Sequence, residues 1–126
     1  MLLNPEQKLA VQHYLGPCIV TAVTGSGKTK VLTERVIYLI QQKQVDPKNI
    51  LCLTFTNKAA NEMRDRVSAS LSNHISDLVW ISTFHGLCLA VLRKYGHVIG
   101  LNKNFTVYDA DDQVSLLSKI GRMHEY

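Results

Sequence analysis

Cys18-Ile19-Val20-Thr21-Ala22-Val23-Thr24-Gly25-Ser26-Gly27-Lys28-Thr29 is the stretch that decides the fold of this chain. The β-branched apolar run from Cys18 to Ala22 predicts a strand. The glycines predict a turn, and the pattern from Gly27 to Gln42 predicts a helix with Leu32, Val36, Leu39 and Ile40 on one face. Strand, glycine turn, Gly-Lys-Thr and helix together make the phosphate-binding P-loop arrangement. Successive backbone N–H groups of Thr24, Gly25, Ser26, Gly27, Lys28 and Thr29 can curl around an anion. The positive end of the following helix points at the same place. Gly25 and Gly27 allow close approach because no Cβ intrudes. Lys28 is placed to reach β- and γ-phosphates, and the Thr29 hydroxyl to ligate Mg²⁺. These two are the candidate catalytic residues. Ala22 stands where the motif usually has its first glycine.

Working outward, a chain of 126 residues fits one small domain at most. Its 46% hydrophobic and 19% charged residues place it among globular rather than disordered chains. No apolar run reaches membrane-spanning length, so no membrane partner is expected. Met1-Leu2-Leu3-Asn4-Pro5-Glu6-Gln7 lacks the basic region, apolar core and cleavage site of a signal peptide. Cys18, Cys52 and Cys88 form no Cys-x-x-Cys pair and are expected to be buried, reduced thiols of a cytoplasmic protein. The five histidines have no metal-ligand spacing. A net charge of +4 permits nucleic-acid binding but argues for it weakly, because the basic residues are dispersed.

Asn4 reads as the cap, and Pro5 as the first residue, of a helix running to Tyr14, which Gly16-Pro17 breaks. After an Asp46-Pro47 turn, a second strand is expected over Ile50 to Phe55. A second helix begins near Asn57, with Ala60, Met63, Val67 and Leu71 as its buried stripe. A third strand is expected over Leu78 to Ile81. The helix that follows, Thr83 to Val98, is apolar nearly all round and expected to be deeply packed. Apolar strands alternating with helices imply a parallel sheet covered on both faces, an α/β fold. Beyond Gly100, Asn104 to Tyr108 reads as a short extended piece. Asp109 then caps a last amphipathic helix bearing Val114, Leu116, Leu117 and Ile120.

Three further segments line up with the P-loop. Leu3-Asn4-Pro5-Glu6-Gln7 precedes it by the distance of a Q motif. Thr54-Phe55-Thr56-Asn57-Lys58-Ala59-Ala60-Asn61-Glu62-Met63 looks like motif Ia. Ser82-Thr83-Phe84-His85-Gly86 resembles motif Ib. Together they resemble the N-terminal end of the UvrD/PcrA/Rep family of superfamily-one DNA helicases. Asn104 to Ile120 is similar to the start of that family's inserted helical subdomain. The resemblance implies residues 1–98 as part of a first RecA-like P-loop NTPase domain, and 99–126 as the beginning of the inserted subdomain. It implies an N-terminal fragment of an ATP-driven, Mg²⁺-dependent 3′-to-5′ translocase acting in DNA repair or replication on single-stranded DNA and duplex junctions.

Carried over by position, Gln7 resembles the glutamine that reads adenine, which an amide suits because adenine offers both a donor and an acceptor. Lys30 stands where many members have an arginine near the base, and a lysine does not stack in the same planar way. Phe55 and His85 match positions on the single-strand path, where an aromatic ring stacks on any base. Read alone, Phe55 is a strand-end core residue, and His85 is a locally bonded helix-start residue. Asn57, Lys58 and Thr83 either donate to phosphates or cap and solubilise their helices.

No apolar strand ends in the Asp-Glu pair that would hold Mg²⁺ and position water. The acidic cluster Asp109-Ala110-Asp111-Asp112 serves a helix start instead. ATPase and unwinding are therefore not expected of this chain alone, and its unpaired sheet edges suggest self-association. A stand-alone nucleotide- or DNA-binding module, a small P-loop kinase and a helicase–nuclease relative remain the competing readings. For the kinase, only Arg93 and Arg122 lie beyond the third strand to build a lid.

Overall fold

The computed structural model describes residues 2–124; Met1, and Glu125 and Tyr126 at the end of the expected 99–126 segment, lie outside the described residues. The chain divides into two compact units, Met1–Leu87 and Cys88–Tyr126.

In the first unit, α1 (Pro5–Gln12) begins on a reciprocal cap. The Gln7 N–H donates to Asn4 Oδ1 at 2.8 Å, and the Asn4 N–H donates to Gln7 Oε1 at 3.0 Å. α2 (Lys28–Gln41) follows the glycine turn. A short 3₁₀ turn at Pro47–Asn49 then leads into β1 (Leu51–Thr54). α3 (Asn57–Ser70) and the single turn α4 (Asn73–Ser76) carry the chain to β2 (Trp80–Thr83). β1 and β2 are parallel, in register from Leu51 opposite Trp80 to Thr54 opposite Thr83. A parallel pair needs a crossover, and α3 supplies it.

The core lies where α3 meets this pair. Ala60, Met63 and Val67 recur at helical spacing and are buried with Ile50, Leu71, Val79, Ile81 and Val36 of α2. Val36 thereby ties the P-loop helix to the sheet-supporting cluster. The Trp80 N–H donates to the Ile50 carbonyl at 3.1 Å, so Trp80 faces β1 and the Ile81 carbonyl faces the opposite edge. Arg64 of α3 donates to that carbonyl at 2.7 Å, so a long charged side chain covers the edge.

In the second unit, α5 (Phe84–Tyr95), which begins in the first unit, runs into a 3₁₀ turn at Gly96–Ile99. The Arg93 guanidinium lies 4.3 Å from the centre of the Phe105 ring and donates to the Lys103 carbonyl. α6 (Ala110–Met123) starts on a second reciprocal cap, between Asp109 and Asp112. Its apolar residues Val114, Leu116, Leu117 and Ile120 are exposed.

Several expectations are corrected. The expected strand Cys18–Ala22 is not a strand, and the sheet among the described residues has two strands, not three. A strand exists only through its ladder, and this apolar run pairs with neither β1 nor β2, leaving Ile19 92% exposed. The last strand is Trp80–Thr83 rather than Leu78–Ile81, because the N–H groups of Leu78 and Val79 donate back to Ile75 and Ser76 in the turn after α4. The helix expected to be deeply packed, α5, has no buried residue, and Leu32 of α2 is exposed while Thr33 is buried. Finally, Cys18 and Cys88 are exposed rather than buried.

Burial raises the Cys52 thiol to about 11 by desolvation. Its protonated form is favoured in the folded chain, so this contribution to stability is complete below the ordinary thiol pKa and fades as pH rises through about 11. Iodoacetamide labelling followed by mass spectrometry is expected to modify Cys18 and Cys88 first, with Cys52 reacting only after denaturant is added.

Candidate functional site

The glycine turn folds as its residues require. Gly25 and Gly27 have φ of 81° and 86°, a region that L side chains rarely adopt. A Cβ on Gly27 would also lie 3.2 Å from Gln7 Nε2. The Ser26 N–H donates to the Val23 carbonyl at 3.2 Å, which closes the turn. Gly27 caps α2 without a side-chain bond. The N–H groups of Lys28 and Thr29 therefore emerge from the helix start without an intrahelical acceptor. The Lys28 ammonium lies on two neutral acceptors, the Ala22 and Val23 carbonyls, each at 3.1 Å. The Ser26 hydroxyl oxygen is buried and has no hydrogen-bond partner. An orphaned hydroxyl inside a positive-φ glycine turn fits a bound phosphate, whose oxygens supply acceptors that the protein itself does not.

A cleft of about 460 Å³ opens beside this turn. Gln7, Ser26 and Lys28 line it, together with Asn4, Leu32 and Arg35. Gln7 Nε2 donates to the Ser26 carbonyl at 3.0 Å, so the Q-motif residue touches the P-loop directly. Thr24 and Gly25 form the outer turn, and Thr29 and Lys30 lie in the first turn of α2; none of these four lines the cleft. Sequence reasoning missed Arg35. The available signal was its position two turns after Lys28, on the same side of α2.

The other candidate residues gather at the C-terminal end of the parallel pair. Because Thr54 lies opposite Thr83, the segments carrying Phe55, Asn57 and Lys58, and Thr83 and His85, leave the sheet side by side. Phe55 is 84% exposed, so it is not a core residue. Phe84, read from sequence as part of a packed helix, is 54% exposed at the same end. Thr56, not Asn57, caps α3 by accepting from the Ala59 N–H at 3.1 Å. The Thr83 hydroxyl accepts from the Gly86 N–H at 3.1 Å and so serves as a helix cap. A Cβ on Gly86 would collide with the Ser82 hydroxyl, so the start of α5 admits only glycine without rearrangement. Among the described residues, no three His, Cys, Asp or Glu side chains are grouped to hold a metal, and no helix is long and apolar enough to cross a membrane.

Residues 3–125 match the UvrD/REP helicase N-terminal domain family. The chain is 49% identical over 121 residues to the ATP-dependent DNA helicase UvrD1 of Mycobacterium leprae, a match covering 95% of this chain and 16% of that protein. It is 49% identical over 118 residues to the ATP-dependent DNA helicase PcrA of Bacillus subtilis, and 48% identical over the same length to PcrA of Leuconostoc citreum. Each of those matches covers 94% of this chain and 16% of the relative. The chain thus spans about one sixth of the length of these relatives.

Gly27→Ala is expected to destabilise the chain by about 1–2 kcal/mol through left-handed backbone strain, and to loosen the contact between Gln7 and the loop. Gly25→Ala, with open space around its Cβ, is expected to cost the backbone strain alone. Urea denaturation of both variants checks this.

Proposed function

The chain belongs to the UvrD/REP helicase N-terminal domain family, and from that premise we propose that it is the ATP-binding part of an ATP-dependent DNA helicase. The observation that carries the reading is the buried, partnerless Ser26 hydroxyl inside a glycine turn whose lysine lies on two carbonyls. In this reading the backbone N–H groups from Thr24 to Thr29 hold the phosphates. Lys28 exchanges the Ala22 and Val23 carbonyls for phosphate oxygens, a stronger, charge-assisted pairing. The Thr29 hydroxyl holds Mg²⁺, and Gln7 and Lys30 serve the base. Bound ATP supplies the phosphoanhydride whose hydrolysis drives movement along DNA.

Single-stranded DNA and duplex junctions are the proposed substrates, in repair or replication and in the cytoplasm. Phe55 stacks on a base, and Asn57, Lys58, Thr83 and His85 contact the strand around it. Support comes from the exposure of Phe55 and from the shared strand end that carries all five. Residues 1–98 would belong to the RecA-like domain and 99–126 to the inserted helical subdomain. The two-stranded parallel sheet with its helices is compatible with part of a RecA-like domain.

Alone, the chain is proposed to bind ATP without turning it over. β1 and β2 end in Leu53-Thr54 and Ser82-Thr83, where hydrolysis would call for acidic residues. An arginine finger, itself worth ~10³–10⁵-fold in rate, has no candidate in the cleft, because Arg35 is held by α1. The exposed apolar residues of α6 are proposed to drive self-association of the isolated chain.

Titration calorimetry is expected to show weak ATP binding that Lys28→Ala abolishes, and a phosphate-release assay with single-stranded DNA is expected to show no turnover. Equal affinity in the wild type and Lys28→Ala would refute the nucleotide reading.

In DNA-binding titrations, Phe55→Ala is expected to weaken single-strand affinity more than Lys43→Ala, and salt to weaken it in both. Affinity confined to one sequence would contradict the stacking role.

A further inference from the structure

α1 is a helix of eight residues with one buried side chain, Val11. A helix this short is marginal without outside support. Its last turn contains no basic residue, so nothing within it offsets the negative end of its dipole. That role falls to α2. Arg35 Nη1 donates to the Ala10 carbonyl at 3.0 Å, and also to the carbonyls of Val11 and His13. One guanidinium nitrogen thus gathers the last carbonyls of α1.

At the other end of α1, Gln7 Nε2 donates to the Ser26 carbonyl of the P-loop. The two attachments are set apart by the length of α2 between Lys28 and Arg35, about 10 Å at 1.5 Å per residue. The cleft is lined by Gln7 and Ala10 from one helix and by Lys28, Val31, Leu32 and Arg35 from the other. Its width is therefore governed by how firmly α1 is held against α2.

We propose that Arg35 is a positioning residue for nucleotide recognition: by clamping the C-terminal turn of α1, it sets Gln7 at the distance from the P-loop that adenine recognition requires. This rests on the nucleotide reading given above. Arg35 does not touch phosphate in this account. Its loss releases the base-reading helix while leaving the phosphate cradle, built from Gly25 to Thr29, in place.

The test uses the full chain, with ATP, GTP and inorganic tripolyphosphate as ligands in titration calorimetry. Arg35→Met is expected to weaken ATP about tenfold, leave tripolyphosphate within about twofold, and erase the preference for ATP over GTP. Arg35→Lys keeps the charge but loses the planar fork, so an intermediate ATP affinity is expected. It also carries the comparison if circular dichroism shows that Arg35→Met has not folded. Hydrogen exchange of the α1 amides is expected to speed up in step with the loss of ATP affinity. Unchanged ATP affinity in the folded variants would overturn the positioning role alone. So would a parallel loss of ATP and tripolyphosphate, which marks a general structural effect. A wild-type chain that binds neither ligand would overturn the nucleotide reading, and the positioning role with it.

Discussion

Burial of Met63 and Val67 beneath the β1–β2 pair is the constraint on which the rest of the first unit depends. These are its largest fully buried side chains, and truncating either to alanine removes about 2–5 kcal/mol of packing for a methionine and less for a valine. The cluster does more than hold a sheet together. It includes Val36, so α2 is fixed relative to the parallel pair. α2 in turn fixes the P-loop at its start and Arg35 two turns on, and these two points fix α1. Position is handed from the core to α2, from α2 to the glycine turn, and from both to the glutamine of α1.

The proposed phosphate site and the proposed strand-end site draw on different parts of this scaffold. The first depends on backbone: left-handed glycines, helix-start N–H groups and one lysine. The second depends on register, since pairing of Thr54 with Thr83 brings two separate segments to one end of the sheet. That end is where ligands of open parallel sheets bind, because helix starts and flexible connections converge there. The exposed rings of Phe55 and Phe84 lie at that end, with both helix caps already satisfied by Thr56 and Thr83.

Local signals were legible in the sequence; relations between distant segments were not. Asn4 and Pro5 announced α1, down to its cap, because capping is settled within four residues. The stripe Ala60, Met63, Val67 announced α3 and its buried face. The run Cys18–Ala22 has strand composition, but composition does not supply a hydrogen-bonding neighbour. β2 moved two residues along because α4, whose four residues give no periodicity to read, claims the N–H groups of Leu78 and Val79. Apolar character all round α5 suggested burial, yet burial depends on what covers a helix. The contacts of Arg35 were not legible for the same reason. Its partners, the carbonyls of Ala10, Val11 and His13, lie more than twenty residues away in the chain.

We propose that α1 and the P-loop, joined through Gln7 and Ser26, form one nucleotide-responsive assembly. A ¹⁵N NMR titration of the chain with ATP and Mg²⁺ tests it most directly. The amides of Gly25 to Thr29 and those of Asn4 and Glu6 to Ala10 are expected to shift together, at the same ligand concentration. Shifts confined to the P-loop with α1 unmoved, or shifts that bypass both segments, would contradict it.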